Sequence, residues 1–85
     1  MIGRYEVGVR REVVKALRRF PKDVQRKIQR AMEDLAETPR PRGCKKLEDD
    51  KYRIRVSMDY RLIYSVNDKE KTVWVIKVST REGTY

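Results

Sequence analysis

After a short alternating start, the hydrophobic pattern of this chain is helical up to about residue 40 and changes period there, and that change limits the folds open to it. Before it, apolar residues recur at helical spacing. In "RREVVKALRRF" Val13, Val14, Leu17 and Phe20 share a stripe, and Pro21 breaks it. Pro21 suits the first turn of a second helix, "PKDVQRKIQRAMEDLAE", whose stripe is Val24, Ile28, Ala31, Met32 and Leu35. The two stripes predict a helical hairpin. Ahead of them, "RYEVGV" alternates, so Tyr5, Val7 and Val9 share one face of a short first strand.

After an extended, exposed basic loop, "TPRPRGCKK", the period falls to two. Residues 52–57, 60–66 and 72–79 read as strands, with "SMD" and "NDKEK" as turns. The expected architecture is α+β: an N-terminal strand, a helical hairpin, then a three-stranded antiparallel meander in one small twisted sheet, with the helices on one face. At 85 residues the chain makes one domain, residues 1–85, with a single core.

Strand parity then sorts the two sheet faces. Tyr52, Ile54, Val56, Tyr60, Leu62, Tyr64, Trp74, Ile76 and Val78 form the set expected beneath the helices, which places Trp74 in the core. Arg53, Arg55, Arg61, Lys77, Ser79 and, if the last strand runs on, Arg81 take the other face, together with Ile63, Val73 and Val75. A face combining guanidiniums with apolar residues calls for an anion, and part of the face must be covered by another element or bind something with apolar surface.

Charge narrows the choice of anion. The chain has 22 Lys and Arg against 13 Asp and Glu, a net charge of +9, which favours a polyanion, with nucleic acid first. It has no histidine and one cysteine, Cys44. Disulfide frameworks, His/Cys zinc sites, Ser-His-Asp or Cys-His catalysis and histidine-based ribonuclease chemistry are therefore excluded, and no metal or cofactor is expected. Glu48, Asp49 and Asp50 are consecutive and read as a solvated turn, not a metal cluster. The chain shows neither a signal-peptide pattern nor an apolar run of membrane-spanning length, so a soluble cytoplasmic protein without a membrane partner is expected.

The helical hairpin, the basic loop, the block "KLEDDKYRIRVSMDYRLIY" and the terminal "REGTY", in this order and in a chain this short, resemble the RelE/ParE superfamily of type II toxin–antitoxin toxins, and its RelE-like branch in particular. The resemblance spans essentially the whole chain. It implies a ribosome-dependent endoribonuclease that cleaves messenger RNA in the decoding site and is silenced by a small cognate antitoxin. It also implies a functional set by position: Arg53 and Arg55 on the first hairpin strand, Arg61 on the second, Arg81 after the last strand, and Tyr85. Many relatives carry a glycine and a basic or histidine residue before the final arginine, where this chain has Ser79 and Thr80. An acid or base that some relatives supply from there is missing here.

Such a set can promote attack of the RNA 2′-hydroxyl on the adjacent phosphate, because arginine binds phosphate oxygens bidentately and stays charged. Arg61 and Arg81 are the candidates for the scissile phosphate, Arg53 and Arg55 for the flanking backbone, and Tyr85 for stacking or proton exchange. Lys45, Lys46, Lys77, Lys22, Arg26, Lys27 and Arg30 complete the expected RNA-binding set. The plainer alternatives are specific: Arg53 and Arg55 as the wet side of an amphipathic strand, Arg61 paired with Asp59 or Glu48, Tyr85 frayed, and the second-helix cations as a solvated face. At the level of function the rivals are a ParE-like toxin that inhibits DNA gyrase by binding, and an RNA-binding relative that no longer cleaves.

Overall fold

The computed structural model describes residues 4–80. Along the chain it contains β1 (Glu6–Val9), α1 (Arg11–Leu17), α2 (Lys22–Glu37), β2 (Lys45–Glu48), β3 (Lys51–Arg55), β4 (Tyr60–Asn67) and β5 (Thr72–Thr80). The strands form one five-stranded sheet in the order β1-β5-β4-β3-β2. β2 to β5 are antiparallel neighbours, whereas β1 lies parallel to β5 at the far edge. The α+β architecture expected from the pattern is present. It has one strand more than expected, because the end of the basic loop pairs as β2 with β3: Lys45 faces Arg53 and Lys46 faces Tyr52. Its sequence, KKLE, has no apolar alternation to announce it, since all four residues are exposed at the sheet edge.

The helices cover one face. Val13 of α1 and Ile28 and Leu35 of α2 are fully buried against Tyr52, Ile54, Leu62, Tyr64, Val66, Val73, Val75 and Val78, with Val7, Val9, Leu17, Val24, Ala31 and Met32 packed around them. The corner between the helices is held locally. Gln25 donates from Nε2 to the Phe20 carbonyl at 2.9 Å, and the Phe20 ring meets Tyr60 at a centroid distance of 5.2 Å.

β5 departs from the expected parity. Leu62 pairs with Val78 and Ile63 with Lys77, but Tyr64 pairs with Val75, so Ile76 is passed over as the extra residue of a β-bulge. One extra residue exchanges the faces of everything before it on the strand. Val73 and Val75 are therefore in the core at 0% exposure, and Trp74, expected there, stands on the open face at 49% exposure.

A polar cluster ties the connections together at one end of the sheet. Arg40, in the loop after α2, reaches the turn between β4 and β5 and donates to both carboxylate oxygens of Asp68, at 3.1 and 2.8 Å, while its Nε donates to the Tyr52 hydroxyl at 2.9 Å. Tyr5 donates its hydroxyl to the same Asp68 at 2.6 Å, and Tyr64 donates to the Pro39 carbonyl at 2.7 Å. Arg40 and Tyr5 together hold the Asp68 carboxyl down at about 2, and the hydrogen bond to that carboxylate pushes the Tyr5 hydroxyl up. Burial pushes the Tyr64 hydroxyl well above its ordinary range, which suits a structural donor and not a proton carrier.

This cluster sets an expected pH response. A depressed carboxyl contributes stability fully above its unfolded value of 3.8 and loses it as pH falls toward about 2. Asp68→Asn should therefore lower the melting temperature at neutral pH, and its deficit relative to wild type should shrink as pH falls from about 4 to 2. Calorimetry of both proteins across that range checks it, and a deficit that stays constant would remove Asp68 ionisation as the cause.

Candidate RNA-cleaving site

The face of the sheet away from the helices carries the basic residues in registered rows. Arg55 lies directly across from Arg61, and Arg61 across from Ser79. One row back, Lys45, Arg53, Ile63 and Lys77 sit side by side on four successive strands. The hairpin that brings β3 and β4 together is closed by a short turn, in which the Val56 and Ser57 amides donate to the Tyr60 carbonyl at 2.9 and 3.3 Å. Lys45, Arg53, Arg55 and Arg61 line a concavity of about 360 Å³ with Gly43, which takes a left-handed φ of 92° and so lets the loop turn into β2.

A second concavity, of about 560 Å³, adjoins the first at Gly43 and Arg55. α2 contributes Lys27, Arg30, Ala31, Asp34 and Leu35 to it, the loop Pro41 and Arg42, β3 Ile54, and the turn after β3 Val56. Of the cations expected to bind RNA, Lys27 and Arg30 thus join the arginine row through Arg55. Lys22 and Arg26 are exposed near the start of α2 and line neither concavity. Lys46, opposite Tyr52, has the parity of the helix-covered face and is separated from Lys45. Arg81 and Tyr85 lie outside the described residues. Arg42 and Gly43 were not singled out from sequence. Their signal was the glycine following a cation in a proline-rich loop, the one place in that loop where a left-handed backbone comes easily.

The plainer readings of the arginines fare unevenly. Glu48 stands 3.8 Å from Lys51 and is not the partner of Arg61. The ion pairs Arg4–Glu37, Arg40–Asp68 and Lys51–Glu48 do not involve Arg53, Arg55 or Arg61, and among the described residues no group of His, Cys, Asp and Glu converges to hold a metal. Like charges directly opposite one another on a sheet are destabilising, and Arg55 and Arg61 stand so. A multivalent anion would offset this: the guanidiniums offer planar pairs of donors at the spacing of neighbouring strands, ~4.8 Å, suited to phosphate oxygens.

The comparisons with known proteins agree with this geometry. Residues 7–85 match the family model described as the ParE toxin of the type II toxin–antitoxin system parDE. The chain belongs to that toxin family. Comparison with curated protein sequences finds no match. Among solved structures, the chain is similar to the archaeal RelE in its complex with RelB from Pyrococcus horikoshii OT3, at 39% identity and a TM-score of 0.85, covering 91% of this chain and 94% of that one. It is similar to the isolated Escherichia coli RelE toxin at 28% identity and a TM-score of 0.76, covering 89% and 83% of the two chains. The YoeB/ParE toxin from Agrobacterium tumefaciens shares the fold, with a TM-score of 0.74 at 16% identity over 88% and 96% of the chains. The protein is thus a type II toxin, and within the superfamily the RelE members are favoured by identity.

The like-charged row yields a prediction that is independent of activity. Replacing Arg55 by Thr, a good strand residue, removes the charge facing Arg61 and should stabilise the fold by ~0.2–1 kcal/mol at low salt. The gain should fade toward ~1 M salt, where the Debye length is ~3 Å. Thermal melts of both proteins over a salt series test this, and a variant no more stable than wild type at low salt would show that the row carries no repulsion.

Proposed function

We propose that this toxin is a RelE-like endoribonuclease that cleaves messenger RNA on the ribosome and is held inactive by a small cognate antitoxin. One observation carries the reading: Arg55 and Arg61 face each other across the β3–β4 hairpin, in a concavity that also holds Arg53 and Lys45 and, among the described residues, no carboxylate. The similarity to RelE structures, several of them described as complexes with RelB, supports the activity class and the antitoxin partner. Soluble, cytoplasmic action on ribosomes follows from the same reading, and no helix among the described residues is long and apolar enough to cross a membrane.

The chemistry follows from the residues. The 2′-oxygen attacks the adjacent phosphorus, the new O2′–P bond forms as the P–O5′ bond breaks, and the 2′-proton departs while the 5′-oxygen gains one. The products are a 2′,3′-cyclic phosphate and a 5′-hydroxyl. Arg61 binds the non-bridging oxygens as charge builds on the phosphorane, together with Arg81, whose position lies outside the described residues. Arg53, Arg55 and Lys45 hold the flanking backbone, Lys77 extends that grip across β5, and Tyr85 is assigned to stacking or proton transfer. Lys27 and Arg30, with Lys22 and Arg26 nearer the start of α2 and Lys46 at the sheet edge, are assigned to ribosomal RNA. Arginine at neutral pH is a poor proton carrier, its free group titrating above ~12. Rate must come mainly from charge stabilisation and from a messenger held ready for in-line attack. A concavity whose charged side chains, among the described residues, are all cations repels a divalent metal, which supports a metal-independent cut.

Programmed ribosomes incubated with the purified protein, followed by mapping of messenger ends, test the proposal. Cleavage should leave a 2′,3′-cyclic phosphate or the derived 3′-phosphate, and a 3′-hydroxyl would overturn the 2′-attack mechanism. Arg61→Ala should reduce the cleavage rate by on the order of 10²-fold or more with the fold intact. The ParE description of the matching family model favours one rival, a gyrase-binding toxin. Intact messenger together with inhibited gyrase supercoiling would establish that rival.

A further inference from the structure

We infer that Trp74 is a stacking platform for an unpaired RNA base, a nucleotide subsite on the same sheet face as the arginine row. The inference rests on reading that face as an RNA site and adds a contact outside the phosphate clamp. Its first support is position. The bulge at Ile76 turns Trp74 out of the core, where Val73 and Val75 take its place, and leaves it 49% exposed. An indole left half in water forgoes burial that a partner can recover.

Its second support is how the ring is held. Trp74 lies in register between Ser65 of β4 and Gly8 of β1. A Cβ placed on Gly8 would fall 2.6 to 2.8 Å from three carbons of the six-membered ring, Cζ3, Cε3 and Cη2. The ring therefore rests on the bare backbone of β1. Its in-register neighbours, Gly8 and Ser65, are small, and the indole is 49% exposed. A supported, exposed aromatic face is what base stacking requires, and it needs no particular base.

Its third support is the spacing to the cations. Between the Trp74 row and the Arg61 row lies the row in which half-buried Ile63 separates Arg53 from Lys77. With strands ~4.8 Å apart and ~3.3 Å per residue, Trp74 lies ~14 Å from Arg61, within reach of a few nucleotides of an extended strand. Cations for phosphates and an aromatic face for a base match one single-stranded ligand. A helical protein partner fits less well, because it needs a stripe of apolar anchors, whereas Trp74 is flanked in its row by Ser65 and by Lys51 beyond it.

Trp74 is the sole tryptophan, so its fluorescence reports on this site alone. The probe is a ten-nucleotide oligoadenylate with 2′-O-methyl sugars, which cannot undergo 2′ attack, titrated into the intact protein. Binding should quench the fluorescence to saturation. Abasic positions should abolish the quench while anisotropy of a labelled strand still shows salt-sensitive binding. Trp74→Ala should weaken binding about 10-fold, and Trp74→Phe should recover part of it, which keeps the test valid if the alanine variant does not fold. A strand that binds without quenching, one that does not bind at all, or a folded Trp74→Ala variant that binds like wild type overturns the inference. Quenching in a protein that leaves ribosome-bound messenger intact would instead overturn the nuclease reading and leave the stacking site standing.

Discussion

An extra residue in β5, Ile76, determines what the two faces of this sheet can be. β5 joins the parallel edge formed with β1 to the antiparallel strands β4, β3 and β2, so any error in its parity would propagate to both sides. Because the bulge shifts the alternation midway, Val78 on one side and Val75 and Val73 on the other all reach the helices, while Lys77 and Trp74 both reach the open face. Without the bulge, keeping Val78 and Lys77 in place would bury Trp74 under α1 and α2 and expose two valines. The helical layer and the basic face are two consequences of one irregularity.

The rest of the structure divides between charges that meet their opposites and charges that face their like. Arg40, Asp68, Tyr5 and Tyr52 form a closed set that holds the loop after α2, the β4–β5 turn and the start of the chain to one end of the sheet. Arg53, Arg55 and Arg61 stand outside that set, and Arg55 faces Arg61. The same residue type therefore serves as a clamp where a carboxylate meets it bidentately and as a site where its like faces it. Stability is given up in that row, which is common where a protein must keep binding capacity in reserve.

The change of hydrophobic period was enough to read the helices, the meander and the arginine face, because each depends on repetition within one element. Val13, Ile28 and Leu35 are buried as their stripes require, and Arg53, Arg55 and Arg61 share a face as alternation requires. The misplacement of Trp74 has a different origin. A bulge is set by pairing with another strand, and in "TVWVIKVS" unbroken alternation offers the wholly apolar set Trp74, Ile76 and Val78 against Val73, Val75 and Lys77, so nothing within the strand signals the shift. β2 escaped notice for a related reason. It is held by its neighbour's backbone and not by burial of its own side chains, so KKLE leaves no hydrophobic trace. The ligand set of the site was readable to the extent that it lies on β3 and β4, whereas Arg42 and Gly43 enter it only through the path of a loop.

The pairing of β1 with β5 also orders events in time. Glu6 lies beside Thr72 and Val9 beside Val75, so the first strand made cannot find its neighbour until almost the whole chain exists. Contacts so distant in sequence form late, after the loop entropy between them has been met. While the chain is being synthesised, β1 and the two helices have no sheet to cover, and the row from Lys45 to Lys77 lacks its last member until β5 arrives. The topology thus defers one edge of the sheet: β1, made first, joins it only after β5 is in place.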